Sequence, residues 1–455
     1  MTVDSIFQKK FTIENLLETY STKIMGKQTV GRDRVTADRF EEIVRDEAEI
    51  ISRKALSGAY AFTSYKQLLI SKGVGKEPRV LSVPTQRDRL TLRCLCDFLF
   101  EVYPEQKTQI PQKKIKEIKE ALASGTYSHF VKIDVKNFYP SINHDVLLNK
   151  LKNKINKAEI LLLISSAIEN KTLSDRQSQA DESLSKNSVG VPQGLSISNV
   201  LAEIYLSDTD NKIFNINGIK YFRYVDDILI LCNDNYKVIA QELIDELISI
   251  DLKAHALDDV GSKSKADKIN KGFDFLGYQF YGDKVSPKNS SIENFEASLV
   301  KEFTTYKYAL KKTKSQSEKD LCNYRFLWHL NLKITGCIFE GCRYGWMFYF
   351  SQTNDTSKIR RIDAVISKFV ERFKIDRSFH IKKLLKSYYE CKRVDKNQHT
   401  YIQNFDEMDM DSRRQVLTKL GVDVTSMSDK SVNNYFFKIV RKAIVELEKD
   451  LHSFS

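Results

Sequence analysis

Three aspartates carry the chemistry this sequence offers most clearly. Asp134 lies near the end of His129-Phe-Val-Lys-Ile-Asp-Val135, and Asp226 and Asp227 stand together between the apolar runs 220–225 and 228–232. Hard divalent cations such as Mg²⁺ take oxygen ligands and share them with substrate phosphates, so carboxylates fixed on rigid strands suit phosphoryl transfer. Two such ions roughly 4 Å apart would activate an attacking hydroxyl and stabilise a leaving pyrophosphate, with no need for histidine or cysteine. Each piece alone is ordinary. An Asp-Asp pair is common turn chemistry, Asp134 is an acceptable strand-end acid, and Pro192-Gln-Gly194 an acceptable loop.

The elements that must position these acids are legible in outline. Residues 129–135 alternate as a strand does, with Phe130, Lys132 and Asp134 on one face and Val131, Ile133 and Val135 on the other. The runs 220–225 and 228–232 read as a hairpin with Asp226 and Asp227 at its tip. The three acids converge if both elements share one sheet. Around them the patterning predicts helices over 38–56, 85–103 and 111–124, a short strand over 79–84, and helix over 144–170. A polar loop over 181–188 and a tight turn over 190–195 lead to a helix at 198–206. Helix over 238–252, a charged loop over 258–271 and a hairpin over 273–285 follow. Beyond Pro287 strands are expected to cease, with helices over 292–312, 321–333, 358–373 and 382–392.

Composition narrows the class. At 455 residues the chain is expected to hold two to four domains, and 42% hydrophobic with 11% aromatic residues excludes wholesale disorder. The longest strongly apolar stretch, 160–168, is about half the ~20 residues of a bilayer span. The first ten residues lack an apolar export segment, so a cytoplasmic protein without a membrane partner is expected. Seven cysteines without a C-x-x-C pair argue against thiolate zinc or dithiol redox work, and most are expected to be small buried hydrophobes. The net charge is +12, and residues 357–396 hold 13 Lys and Arg against 5 acids. Phe369, Phe373, Phe379, Tyr388 and Tyr389 are interleaved there, so rings are expected inward and cations outward. Lys358, Arg360, Arg361, Lys368 and Arg372 are the candidate phosphate contacts.

Order and context turn these pieces into a resemblance. Asp134-Val-Lys-Asn-Phe-Tyr-Pro-Ser-Ile142, Val191-Pro-Gln-Gly-Leu-Ser-Ile-Ser198, Tyr224-Val-Asp-Asp227 and Phe275-Leu-Gly-Tyr278 resemble motifs A, B, C and E of bacterial reverse transcriptases. Arg79-Val-Leu-Ser-Val-Pro-Thr-Gln-Arg-Asp-Arg-Leu90 is similar to the fingers segment of group II intron and retron enzymes. The resemblance implies an α+β right-hand polymerase. Fingers would occupy 1–129, a ferredoxin-like palm 130–287 with finger insertions at about 150–189, a helical basic thumb 288–396 and a C-terminal helical extension 397–455.

It also implies roles. Asp134 and Asp226 would hold two Mg²⁺ ions with Asp227 as third acid and the Val135 carbonyl completing the coordination. Tyr139 would be the gate that rejects a 2′-hydroxyl, whereas Phe138 suits the core. Gln193 and Gly194 would flank the incoming deoxynucleoside triphosphate, and Arg79 with Lys76 would clamp its phosphates. Of Lys263, Lys265 and Lys268, Lys265 is the expected proton donor to pyrophosphate. The implied activity is RNA-directed DNA synthesis. Its partners would be dNTPs, a structured non-coding RNA as template or scaffold, and the cDNA product. Residues 330–337 and 343–348 resemble the thumb of defence-associated and abortive-infection enzymes, which implies antiphage defence. The rivals are a template-independent or protein-primed polymerase, a retron enzyme, and a non-catalytic RNA-binding protein that keeps the palm.

Overall fold

The computed structural model describes residues 2–25, 29–71, 75, 77–107, 109–175, 187–257, 262–376, 378–393 and 401–449. Lys76 and most of the expected 181–188 loop lie outside the described residues. Two compact units emerge, residues 1–109 with 127–267 and residues 110–126 with 268–455.

In the first unit, α1 (Val3–Lys10), α2 (Ile13–Thr19), α3 (Ala37–Leu56) and α4 (Gln86–Val102) share one device. Thr2, Thr12, Thr36 and Thr85 each accept a hydrogen bond from the backbone N–H three residues on. Such a cap stabilises a helix start by about 1 kcal/mol. Between α3 and α4, β1 (Tyr65–Ile70) and β2 (Arg79–Val83) form an antiparallel pair. α5 (Pro111–Ala123) belongs to the second unit. The chain returns with β3 (His129–Lys136), α6 (Phe138–Ser141), α7 (His144–Lys152), α8 (Ala158–Glu169) and β4 (Thr172–Leu173), which joins β1 in parallel. The helical stretch expected over 144–170 is two helices, broken between Lys152 and Ala158.

α9 (Ser198–Phe214), β5 (Lys220–Tyr224), β6 (Asp227–Cys232), α10 (Tyr236–Ser249), β7 (Lys253–Ala254) and β8 (Lys265–Lys268) follow. The central sheet has the order β5-β6-β3-β7, and β8 also pairs with β3. Ile228–Cys232 is buried throughout, as a central strand covered on both faces must be, and so reads as an unbroken apolar run. On β3, Val131, Ile133 and Val135 are buried while Lys132 and Asp134 stay partly exposed, as the alternation predicts. α9 is enclosed from Val200 to Leu206, which explains why its apolar residues show no single face.

The second unit opens on β9 (Phe273–Phe275), β10 (Tyr278–Tyr281) and β11 (Lys284–Pro287), a three-stranded meander where one hairpin was expected. α11 (Asn289–Lys312) and α12 (Gln316–Thr335) follow, the latter behind a capping box of Ser315 and Glu318. Strands do not cease after Pro287. β12 (Cys337–Phe339) and β13 (Cys342–Tyr344) form a hairpin, followed by α13 (Trp346–Tyr349), α14 (Thr356–Arg372) and α15 (Leu384–Cys391). β14 (Gln403–Asn404) then lies parallel to β12. α16 (Met410–Lys419) and α17 (Asp429–Lys449) complete a core around Leu332, Phe339, Phe405, Phe436 and Val440. These strands are too short to carry a pattern of their own; pairing across some 60 residues makes them. Five of the seven cysteines are buried and all are free thiols, with Cys342 exposed. Among the described residues no helix is long and apolar enough to cross a membrane.

The hairpin depends on a backbone contact that only glycine permits. A Cβ on Gly336, which has φ +69°, would collide with the Tyr344 carbonyl oxygen and lie 2.9 Å from the Phe348 ring. Gly341, at the turn, has the same φ but open space around it. Gly336→Ala is expected to cost at least about 3 kcal/mol and Gly341→Ala about 1 kcal/mol. Chemical denaturation of the two variants measures the difference.

Candidate active site

Register brings the three acids together. Asp134 pairs directly across from Asp227 in the β3–β6 ladder, and Asp227 pairs on its other side with Tyr224. The hairpin turn is therefore Val225-Asp226, one residue earlier than the Asp-Asp tip expected, and Asp227 is the first residue of β6. Val225 has φ +56°, a region β-branched residues rarely enter, so the turn is strained and must be held.

The holding group is Arg223, buried on β5. Its Nη1 donates to the Val225 carbonyl at 3.0 Å, its Nε to Asp210 Oδ1 at 2.7 Å and its Nη2 to Glu203 Oε2 at 2.6 Å. A further short bond joins Nη2 to Asp210 Oδ2, and Asp210 Oδ1 also accepts the Tyr221 hydroxyl at 2.7 Å. Glu203 and Asp210 both come from α9, so one guanidinium ties the turn to that helix.

The carboxylates sit where charge is costly. Burial raises the Asp227 pKa to about 7, with Asp226 and Asp134 adding to the rise and Lys132 opposing it. Asp226 is likewise raised by burial and by Asp134, against the pull of Arg79 and Lys263. Asp134 Oδ2 faces Lys263 Nζ and His255 Nε2, each at 3.3 Å. Its backbone N–H donates to Ser264 Oγ at 3.1 Å, and its carbonyl accepts from His255 N–H at 3.0 Å. Val135 pairs with Ala254 in β7. Among the described residues no three His, Cys, Asp or Glu side chains close around one point as a metal cluster. The donor set nonetheless fits a hard divalent cation: adjacent carboxylates in a poorly solvated pocket carry an excess of negative charge that such an ion offsets.

The other expected residues divide. Tyr139, on α6, is half-buried, and its hydroxyl donates to Asn199 Oδ1 at 2.6 Å. Burial first, then Asp226 and Glu203, push its pKa well above the usual phenol value. Phe138 is buried in the core. The Gln193 carbonyl accepts from Ser82 N–H on β2 at 2.7 Å. Gly194 has φ +98°, and a Cβ there would lie 3.2 Å from the Ser82 carbonyl, so its close approach is to β2. Arg79 opens that same strand, and its charge acts on both Asp226 and Tyr139. Lys265, the expected proton donor to pyrophosphate, opens β8 and is exposed; the lysine at Asp134 is Lys263.

In the second unit, Arg360, Arg361, Lys368 and Arg372 are exposed along α14, opposite buried Ile359, Ile362 and Ile366. Phe369 and Phe373 pack on Phe303 and Tyr388 is buried, whereas Tyr389 faces solvent. Lys358 is engaged internally, donating to the Pro287 carbonyl at 3.0 Å and to Gln279 Oε1 and Asn289 Oδ1 at 3.3 Å, and burial lowers its pKa.

Residues 70–280 match the family model described as reverse transcriptase (RNA-dependent DNA polymerase). They form a reverse transcriptase domain. The group II intron-encoded protein LtrA of Lactococcus lactis subsp. cremoris is 27% identical over 206 residues, 43% of this chain and 32% of LtrA. An uncharacterized 91 kDa protein in the cob intron of Schizosaccharomyces pombe is 27% identical over 188 residues, 40% of this chain and 22% of that protein. The match thus spans a third or less of the length of these relatives. A telomerase structure from Candida albicans, in complex with a TWJ fragment of telomeric RNA, aligns over 91% of this chain and 68% of its own. Its identity is 14% and its TM-score 0.42.

Sequence reasoning missed His255, Ser264, Lys132 and the Arg223–Glu203–Asp210 set. The last left a signal, an arginine inside an apolar strand, which only buried acids can satisfy. Arg223→Met is expected to cost about 3–5 kcal/mol, because it leaves Glu203 and Asp210 buried without their counter-charge. Adding Glu203→Gln and Asp210→Asn should recover part of the loss in denaturant titrations.

Proposed function

We propose that this chain is an RNA-directed DNA polymerase. The observation that carries the reading is the direct pairing of Asp134 with Asp227 across β3 and β6, with Asp226 on the adjoining turn. In the reaction a 3′-hydroxyl oxygen bonds to the α-phosphorus of a dNTP and loses its proton. The bond from that phosphorus to the bridging oxygen breaks, and pyrophosphate leaves. Two bound Mg²⁺ ions would supply activation of the hydroxyl and neutralisation of the phosphates.

The protein's own part is placement. Asp134, Asp226, Asp227 and the Val135 carbonyl would hold the ions. Arg79, whose fork suits a phosphate, clamps the triphosphate together with Lys76. Lys263 takes over the proton-donor role expected of Lys265, since its ammonium stands at the carboxylates. Gln193 and Gly194 flank the nucleotide, and the Tyr139 ring closes the space beneath the sugar. The exposed α14 cations Arg360, Arg361, Lys368 and Arg372 suit the phosphates of a template–primer duplex or structured RNA. The thumb segment, now seen as the end of α12, the β12–β13 hairpin and α13, supports a place among the defence-associated enzymes of the bacterial cytoplasm, with a dedicated non-coding RNA as partner.

Asp226→Asn is expected to abolish incorporation of labelled dNTP without lowering the thermal-unfolding midpoint; retained incorporation would refute the metal assignment. Tyr139→Ala should lower the preference for dNTP over rNTP by at least about tenfold in single-nucleotide assays. Sequencing the nucleic acid that copurifies with the protein should return one abundant structured RNA and its cDNA, and random cellular RNA would count against the defence role.

A further inference from the structure

Tyr139 is tied at two points to the segment that carries Gln193 and Gly194. Its carbonyl accepts from Val191 N–H at 2.8 Å, and its hydroxyl donates to Asn199 Oδ1 at 2.6 Å. Between these attachments Ser198 Oγ donates to the Pro192 carbonyl at 2.6 Å, closing the loop onto the first turn of α9. Without its second attachment, the ring would keep its backbone anchor but regain side-chain rotamer freedom.

Asn199 is well placed for this task. It is the second residue of α9, and the next residues, Val200–Leu206, are enclosed in the core, so its Cα is held by a helix that has little room to shift. Its amide offers the phenol a neutral acceptor, while Asp226 on the adjoining turn and Glu203 one turn further along α9 act on that hydroxyl through their charge, opposed by Arg79. A bond of this length between two side chains on separate elements fixes the ring plane against the loop that flanks it.

We propose that Asn199 is a specificity-determining positioning residue, which fixes the Tyr139 ring against the Gln193–Gly194 loop and so sets how sharply deoxyribose is preferred over ribose. This rests on the polymerase reading above. A gate that rejects one hydroxyl works by the clash it enforces, and a ring free to swing aside enforces less of it.

The test compares kcat/KM for a dNTP and its rNTP, on one template–primer and with the full chain, for wild type, Asn199→Ala, Asn199→Asp, Tyr139→Phe and the Asn199→Ala/Tyr139→Phe pair. Asn199→Ala and Tyr139→Phe should each lower the dNTP/rNTP ratio roughly five- to tenfold, the scale of one lost hydrogen bond. The double variant should fall no further, because both changes remove the same bond. Asn199→Asp should keep a ratio near that of wild type, since a carboxylate accepts the same hydrogen. A purely structural Asn199 would lower both efficiencies together and leave the ratio unchanged, which overturns the inference, as does an additive double variant. Wild-type protein that incorporates no nucleotide at all overturns the polymerase reading, and the inference with it.

Discussion

Three carboxylates at one end of a buried strand ladder repel one another, and the first unit is organised around that repulsion. Acids directly opposite across paired strands destabilise the pair, and burial of Asp226 and Asp227 adds to the cost. The ladder persists because its apolar part is extensive: Ile228 to Cys232 on β6 and Val131, Ile133 and Val135 on β3 are buried. Cations drawn from separate segments then temper the charge. Lys263 faces Asp134, Lys132 lowers Asp227, and Arg79 lowers Asp226. A site so arranged is suited to binding further positive charge, which is the physical basis of the proposed metal-dependent chemistry.

The same cluster explains the strained turn. Asp226 sits where it does because Val225 adopts a left-handed conformation, and Arg223 holds the Val225 carbonyl while its other donors are saturated by Glu203 and Asp210. The brace leads into α9, and α9 begins where the Gln193 loop ends. That loop is bonded to β2 through Ser82, and to α6 through Val191 and Tyr139. The acids, Tyr139, the Gln193 loop and the strand that Arg79 opens are thus joined by hydrogen bonds between elements distant in sequence, and none of them is placed by its local conformation alone.

Much of this was legible beforehand. The alternation in 129–135 gave the face of Asp134, the two apolar runs gave the hairpin, and the interleaving of rings with cations gave the outward side of α14, where Arg360, Arg361, Lys368 and Arg372 are exposed. Other features escaped for identifiable reasons. Asp227 was read as a turn residue, whereas its pairing with both Tyr224 and Asp134 draws it into β6. Lys265 and Lys263 differ by two residues in an irregular loop, and only the course of that loop past β3 selects Lys263. Lys358 looked like a surface cation, yet carbonyl and amide oxygens at the end of β11 and the start of α11 enclose its ammonium. The strands at 337–339 and 403–404 are two or three residues long and exist through each other.

By itself, the order of residues determined which groups are available for chemistry and the period of the elements that carry them, because hydrophobic spacing and side-chain type are local properties. Tertiary structure alone decided which acid faces which and which lysine answers Asp134. It also decided that Asn199 meets Tyr139 and that a buried arginine restrains the Val225-Asp226 turn. Those outcomes depend on strand register and on the packing of α9 between distant segments, where distances of about 3 Å select one partner from several chemically equivalent ones.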